Sequence, residues 1–197
     1  MTLPLKGKRL PHMCTHSGKS LDLMKFSEDD VEINDIAHGL ACVNRFGGQA
    51  RLPISVAQHS VYVSRLCEGT PFTLQALLHD ASEAYIGDMI FMLKRSPEMA
   101  QYRELENHIQ HIIYQKFRCE LEEPAELVAA DKLMVEYEAK HGFNPGCFQF
   151  DMPGYAFPSS EGEQKVGEWH PWLWREAKQT FLRRFTRCCV ELGIEHV

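Results

Sequence analysis

The chain has 197 residues, 44% of them hydrophobic, with 21 basic and 27 acidic side chains and a formal charge of −6 while its 10 histidines are neutral. That apolar content supplies a full core and excludes a disordered chain, and the length predicts a single domain. The acidic balance argues against a nucleic-acid polymer as partner.

No apolar run approaches the roughly 20 residues of a membrane span, and residues 1–11 show no signal-peptide core. Seven cysteines at irregular spacing, none in a C-x-x-C pair, read as reduced, buried thiols rather than a zinc ribbon. Residues 15–25 are the one plausible extended stretch. From 34 to 46, Ile36, Leu40 and Val43 recur at i, i+4 and i+7, which predicts a helix ended by Gly47 and Gly48. Ser55 is a good N-cap for a helix over 55–67. Further helices are predicted over 74–86, closed by Gly87, over 97–117, and from Pro124 to about Gly142. Residues 144–167, rich in Gly, Pro, Ser and aromatics, are predicted as an irregular insertion. Pro171 opens a terminal helix over 171–193 carrying Trp172, Trp174, Phe181, Leu182 and Phe185. The expectation is an all-α bundle forming one domain, with its core over 33–140.

Several polar residues fall on the apolar faces of these helices. Val56, His59, Val63 and Leu66 share a face, so His59 lies in an apolar stripe. Leu127, Asp131, Met134 and Glu138 line up at i, i+4, i+7 and i+11, which turns Asp131 toward the core. His79 and Asp80 stand among Leu77, Leu78 and Ala81, and Glu83 follows one turn after His79. An inward carboxylate is costly unless it is paired, hydrogen-bonded or bound to metal. Taken singly, an inward histidine is more often a satisfied core group than a ligand, and an inward aspartate more often a helix-bonding or ion-pairing group. Together, two imidazoles and two carboxylates from three helices make a mixed nitrogen and oxygen cage. Such a cage suits zinc, manganese, cobalt, nickel or ferrous iron better than calcium.

Other signals fail. Ser17-Gly18-Lys19-Ser20 imitates the end of a phosphate-binding loop, but Met13 stands where the upstream glycine is required. His12, Cys14 and His16 read as part of a loose N-terminal segment rather than a second metal site, and His38 as a structural histidine.

The order His59, then His79-Asp80, then Asp131 resembles the HD superfamily of metal-dependent phosphohydrolases. It is carried by Ser-Val-Ala-Gln-His59-Ser, by Leu-Leu-His79-Asp80-Ala-Ser-Glu83-Ala-Tyr-Ile-Gly-Asp88 and by Ala-Ala-Asp131-Lys. The chain is most similar to the small nucleotide-cleaving branch, which contains bacterial 5'-deoxynucleotidases and bacteriophage dATP triphosphohydrolases. Arg45-Phe46 matches the Arg-aromatic pair that ends the first helix there, and Lys94 the lysine that follows the Gly-Asp turn in the phage enzymes.

The resemblance implies an HD-domain bundle in which His59, His79, Asp80 and Asp131 hold a divalent metal ion: zinc, cobalt or manganese. An additional magnesium would accompany the substrate phosphates. Glu83 would orient or deprotonate the attacking water, and Asp88 would position that water or serve the leaving-group side. Arg45 and Lys94 would contact phosphate, with Phe46 packed against sugar or base. Phe46 stands where some relatives carry tryptophan, and the 144–167 insertion has no counterpart to align. The activity implied is a dATP triphosphohydrolase releasing triphosphate and deoxyadenosine. The alternatives are a 5'-deoxynucleotidase acting on monophosphates, and a non-catalytic metal- and nucleotide-binding module. The expected setting is cytoplasmic (the host cytoplasm if viral), with a deoxynucleotide partner, no nucleic-acid polymer, no membrane, and assembly as a homo-oligomer.

Overall fold

A computed structural model describes residues 12–144, 166 and 169–194. It opens with a small antiparallel hairpin, β1 (Met13–Cys14) and β2 (Ser20–Leu21), whose turn uses Gly18 at φ +91°. Ser17 in this turn donates its backbone N–H and its hydroxyl to Asp35, each at 2.7 Å. The phosphate-loop look-alike is therefore a hairpin turn bolted to the first helix. His12 bonds across the hairpin to Ser20, and His16 stacks on His38, so both have local structural partners.

The remaining architecture is helical, as expected. The helices are α1 (Ile33–Cys42), α2 (Val56–Leu66), α3 (Thr73–Leu78), α4 (Glu83–Ile86), α5 (Phe91–Lys94), α6 (Ala100–Lys116), α7 (Ala125–Gly142) and α8 (Trp174–Leu192). Among the described residues, no helix is long and apolar enough to cross a membrane.

The centre of the fold is α2, which packs against α1, α3, α7 and α8. Ser55 caps it by accepting from the backbone of Gln58, and the helix is buried on every side from Val56 to Ser64. Its polar side chains are satisfied inside. Gln58 donates to the His170 carbonyl at 2.7 Å and accepts from the Trp172 N–H at 2.9 Å, while Ser64 accepts from the buried Arg184 at 2.9 Å. α8 lays Ala177, Phe181, Phe185, Cys188 and Cys189 into the same core. That core also takes Leu21, Phe26 and Val31, so it extends on both sides of the expected 33–140 span.

Three boundaries differ from expectation. The helix predicted over 34–46 stops at Cys42, because the next residues pair with the strand-like run before α2. Val56 N–H bonds to Val43 O at 3.0 Å and Arg45 N–H to Ile54 O at 2.8 Å. Gly47 and Gly48 then serve a left-handed turn at φ +60° and +72° rather than a helix C-cap. The helix predicted over 74–86 is interrupted at residues 79–82, where bonding tightens to i→i+3. The terminal helix starts at Trp174 instead of Pro171, since Trp172 is anchored to Gln58, and it ends in a glycine C-cap at Gly193 with φ +65°. Apart from Asn144 and Val166, the 144–167 stretch lies outside the described residues. Of the described cysteines, Cys67, Cys188 and Cys189 are buried thiols, whereas Cys14 and Cys42 are exposed.

Candidate metal centre

His59 comes from the middle of α2, His79 from the end of α3, Asp80 from the interruption that follows, and Asp131 from the second turn of α7. The interruption is held by α6. Gln110 donates to Leu78 O at 2.7 Å and accepts from Ser82 N–H at 3.0 Å, satisfying two backbone groups that an unbroken helix would have paired. This clamp lets the adjacent His79 and Asp80 both face the same point.

His59 Nε2 lies 3.3 Å from His79 Nε2 and 3.0 Å from Asp131 Oδ1, and His79 Nε2 lies 3.7 Å from that oxygen. Asp80 Oδ2 is 3.3 Å from His79 Nε2 and 3.7 Å from His59 Nε2. Ligands held tetrahedrally at about 2.0–2.1 Å from a metal ion sit about 3.3 Å from one another, the middle of this range. Tautomers follow from the far ring atoms. His59 Nδ1 is 3.0 Å from Glu138 Oε1 and His79 Nδ1 is 2.9 Å from Ala76 O, both acceptors only. Each ring therefore carries a hydrogen on Nδ1, and in its neutral form turns the Nε2 lone pair inward, as a metal-ligating histidine does. Two lone pairs and a carboxylate oxygen meeting at one point fit a cation. His59, His79 and Asp131 can thus hold a metal ion. The cluster opens toward solvent on the carboxylate side, where the Asp131 and Asp80 side chains are 34% and 20% exposed against 0% for His59.

The carboxylates draw positive charge to the same point, and protons on the imidazoles supply it there. Burial opposes ionisation of Asp131 and Asp80, yet the hydrogen bonds of His59 and His79 to the first, and the charge and hydrogen bond of His79 and then Arg45 on the second, hold both well below the usual carboxylate range. Burial likewise opposes charge on His79, but Asp80 and Asp131 outweigh it and raise its pKa.

Around this point stand the other expected residues. Glu83 is buried, and its Oε2 has no hydrogen-bond partner among the described residues. Burial, reinforced by Asp80 and Asp88, lifts its pKa well above the ordinary glutamate value. Asp88 is half-buried at the turn after α4, and burial raises its pKa too. Arg45 and Lys94 are both present but engaged by protein carboxylates. Arg45 donates to Glu138 at 3.0 Å and Asp80 at 3.2 Å, while Lys94 pairs with Glu106 at 2.7 Å and lies 4.0 Å from Glu83. Phe46 adopts φ +57°, unusual for a residue with a side chain, and meets Phe143 edge-on at 5.2 Å.

Sequence reasoning singled out neither Glu138 nor the polar row on α6. Tyr102 donates to Gly87 O at 2.9 Å, Arg103 bonds the carbonyls of Lys94 and Ser96, Glu106 pairs with Lys94, and Gln110 clamps the helix interruption. Tyr102, Glu106 and Gln110 recur at i, i+4 and i+8, a polar stripe readable in principle as facing something other than solvent. Glu138 shares the stripe of Leu127, Asp131 and Met134, and that placement was its signal.

Fold and site together define an all-α protein with a buried imidazole and carboxylate centre able to bind metal. No family model matches the chain. It is 36% identical over 135 residues to the uncharacterized protein YfdR of Escherichia coli K12, covering 68% of this chain and 74% of that one. It is 38% identical over 136 residues to an uncharacterized protein of Rhodobacter capsulatus, covering 63% of this chain and 69% of the other. The chain belongs to the family that includes YfdR.

Proposed function

We propose that this protein is an HD-type phosphohydrolase that uses a divalent metal ion to cleave the phosphate ester of a deoxynucleotide. The observation that carries the reading is the convergence of His59 Nε2, His79 Nε2 and Asp131 Oδ1 within 3.0 to 3.7 Å of one another, with buried Glu83 one turn beyond Asp80. Asp80 would complete the ligand set. A divalent ion such as zinc, cobalt or manganese supplies Lewis acidity toward water and phosphoryl oxygen when bound. Glu83 takes the proton from the attacking water: its raised pKa brings it nearer to the working pH, where a general base is most effective. Asp88 positions that water from the turn after α4, and Lys94, held by Glu106, keeps positive charge beside Glu83.

A specific observation bears on the substrate. Both cations expected to meet phosphate are already matched by carboxylates: Arg45 by Glu138 and Asp80, Lys94 by Glu106. With a divalent ion bound, its charge and those of Arg45 and Lys94 are already met by Asp131, Asp80, Glu138 and Glu106, so the site more readily takes a monophosphate, with a charge of about −2, than a more highly charged group. A triphosphate would have to bring magnesium with it. The charge balance thus favours the 5'-deoxynucleotidase reading, and the dATP triphosphohydrolase reading stands with magnesium as co-substrate. Incubation with each deoxynucleoside mono- and triphosphate, with cobalt, manganese or zinc and with or without magnesium, separates them. Phosphate released from a monophosphate supports the first, and intact triphosphate released from dATP the second. Metal-loaded protein that cleaves none of them refutes both and leaves the non-catalytic binding module.

A further inference from the structure

We infer that Glu138 is a positioning residue that orients two ligands of the metal centre at once, and that it commits Arg45 to that centre rather than to substrate phosphate. The inference rests on the reading of the His59, His79, Asp80 and Asp131 cluster as a metal site.

Glu138 lies two turns beyond Asp131 on the same face of α7 and is fully buried. Its two oxygens have separate partners: Oε1 accepts from His59 Nδ1 at 3.0 Å and Oε2 from Arg45 Nε at 3.0 Å. Arg45 Nη1 in turn donates to Asp80 Oδ2 at 3.2 Å, and that oxygen faces His79 Nε2 at 3.3 Å and His59 Nε2 at 3.7 Å. The contacts close a ring that runs from His59 through Glu138 and Arg45 to Asp80 and back to the imidazoles. A carboxylate in this position must keep both donors, because losing one leaves a buried, unpaired oxygen. Were Arg45 to swing toward a phosphate, Glu138 would lose its second donor and Asp80 its fixed rotamer. Arg45 thus helps to hold Asp80 toward the centre, where the two imidazoles also face it.

The ring makes a chemical demand that glutamine cannot meet. Both groups facing Glu138 are donors, whereas a carboxamide offers one acceptor and one donor. With its NH2 toward Arg45, glutamine faces a guanidinium that cannot give up its proton. With its NH2 toward His59, it forces the imidazole to accept at Nδ1 and carry its hydrogen on Nε2, which removes the lone pair aimed at the metal. The second arrangement is the one the protein can adopt, so Glu138→Gln switches the His59 tautomer.

Zinc affinity measured by chelator competition, on the full chain, reads this directly. Glu138→Gln should bind zinc about 10- to 100-fold more weakly than the wild type. Adding Arg45→Met to Glu138→Gln should restore part of that affinity, because the glutamine can then turn its oxygen to His59. A purely structural role would instead add the two losses. Long-range proton–nitrogen NMR of the histidine rings should place the His59 hydrogen on Nδ1 in the zinc-loaded wild type. Unchanged zinc affinity in Glu138→Gln, or a wild-type His59 hydrogen on Nε2, overturns the inference, and the second result needs no variant to fold. Zinc uptake as described without nucleotide cleavage leaves the inference standing and removes the proposed function. Cleavage by the wild type with undiminished zinc affinity in Glu138→Gln does the reverse.

Discussion

Replacing Gly39 with alanine should push α4 away from α1 and carry Glu83 with it. Gly39 sits in the body of α1, where alanine would by backbone preference stabilise the helix by about 0.5–1 kcal/mol. Its added Cβ, however, would lie 2.7 Å from the carbonyl oxygen of Ala84, 2.8 Å from its Cβ and 2.9 Å from its Cα. Two of these are backbone atoms, which cannot rotate aside, so the helices must separate by roughly 0.7–1 Å to regain ordinary contact. Overpacking of this kind costs about 1–3 kcal/mol, more than the helical preference returns. From the middle of each range the net loss is about 1 kcal/mol, which at this chain length lowers the melting temperature by about 2–4 °C. Ala84 adjoins Glu83, and a displacement of about 1 Å at a reacting group can cost on the order of 100-fold in rate. No candidate metal ligand lies on α4, so metal uptake should persist while kcat falls about 10- to 100-fold. Thermal unfolding by circular dichroism, beside turnover of the metal-loaded protein, measures both effects. A variant that melts at or above the wild-type temperature would refute the steric argument.

Glu83→Gln should reduce hydrolysis by about 10²- to 10⁴-fold with zinc uptake unchanged, and undiminished turnover would remove the general-base assignment. Burial, with Asp80 and Asp88, raises the Glu83 pKa, and a base must be deprotonated to act. The acid limb of kcat should therefore lie above the ordinary carboxylate range and vanish in that variant; a rate already level there contradicts the assignment. Asp35→Asn should cost roughly 1–2 kcal/mol at neutral pH by weakening the two bonds from Ser17. Burial opposes the Asp35 charge, but hydrogen bonds from Thr15 and Ser17 hold its pKa below the usual value. Its contribution is thus present above the unfolded-state pKa and lost as pH falls through the folded one, so urea unfolding should show the wild-type advantage shrinking on acidification, and a constant difference would count against it. Gln110→Leu strips the partner from Ser82 N–H and leaves Leu78 O with Ala81 N–H alone, and should lower stability by roughly 1–3 kcal/mol in the same assay.

The parts of the site that were legible in the sequence are those set by regular periodicity. His59 and Asp131 sit in unbroken helices, so counting along α2 and α7 placed each on the inward face. The interruption at residues 79–82 carries no proline or glycine; it is stabilised from outside by Gln110, 28 residues further along the chain from Ser82, and local pattern cannot report that. Val43 fits the apolar face of α1 as well as it fits an extended pair with Val56, and the tertiary pairing decided between them. The charges of Arg45 and Lys94 were visible, but their carboxylate partners come from other helices, Glu138 from far along the chain and Glu106 from the next helix, so the periodicity within one helix does not pair them. Glu138 itself lay in plain view in an apolar stripe; what it lacked at that stage was a visible pair of donors.

The central claim is that one cation sits where α2, α3 and α7 meet. Anomalous diffraction from crystals grown with cobalt or zinc, recorded at the absorption edge of the metal, tests it most directly. One strong peak is expected within about 2.0–2.2 Å of His59 Nε2, His79 Nε2 and an Asp131 carboxylate oxygen, with Asp80 beside it. A map with no peak there, or with the metal held only by other residues, would contradict the account.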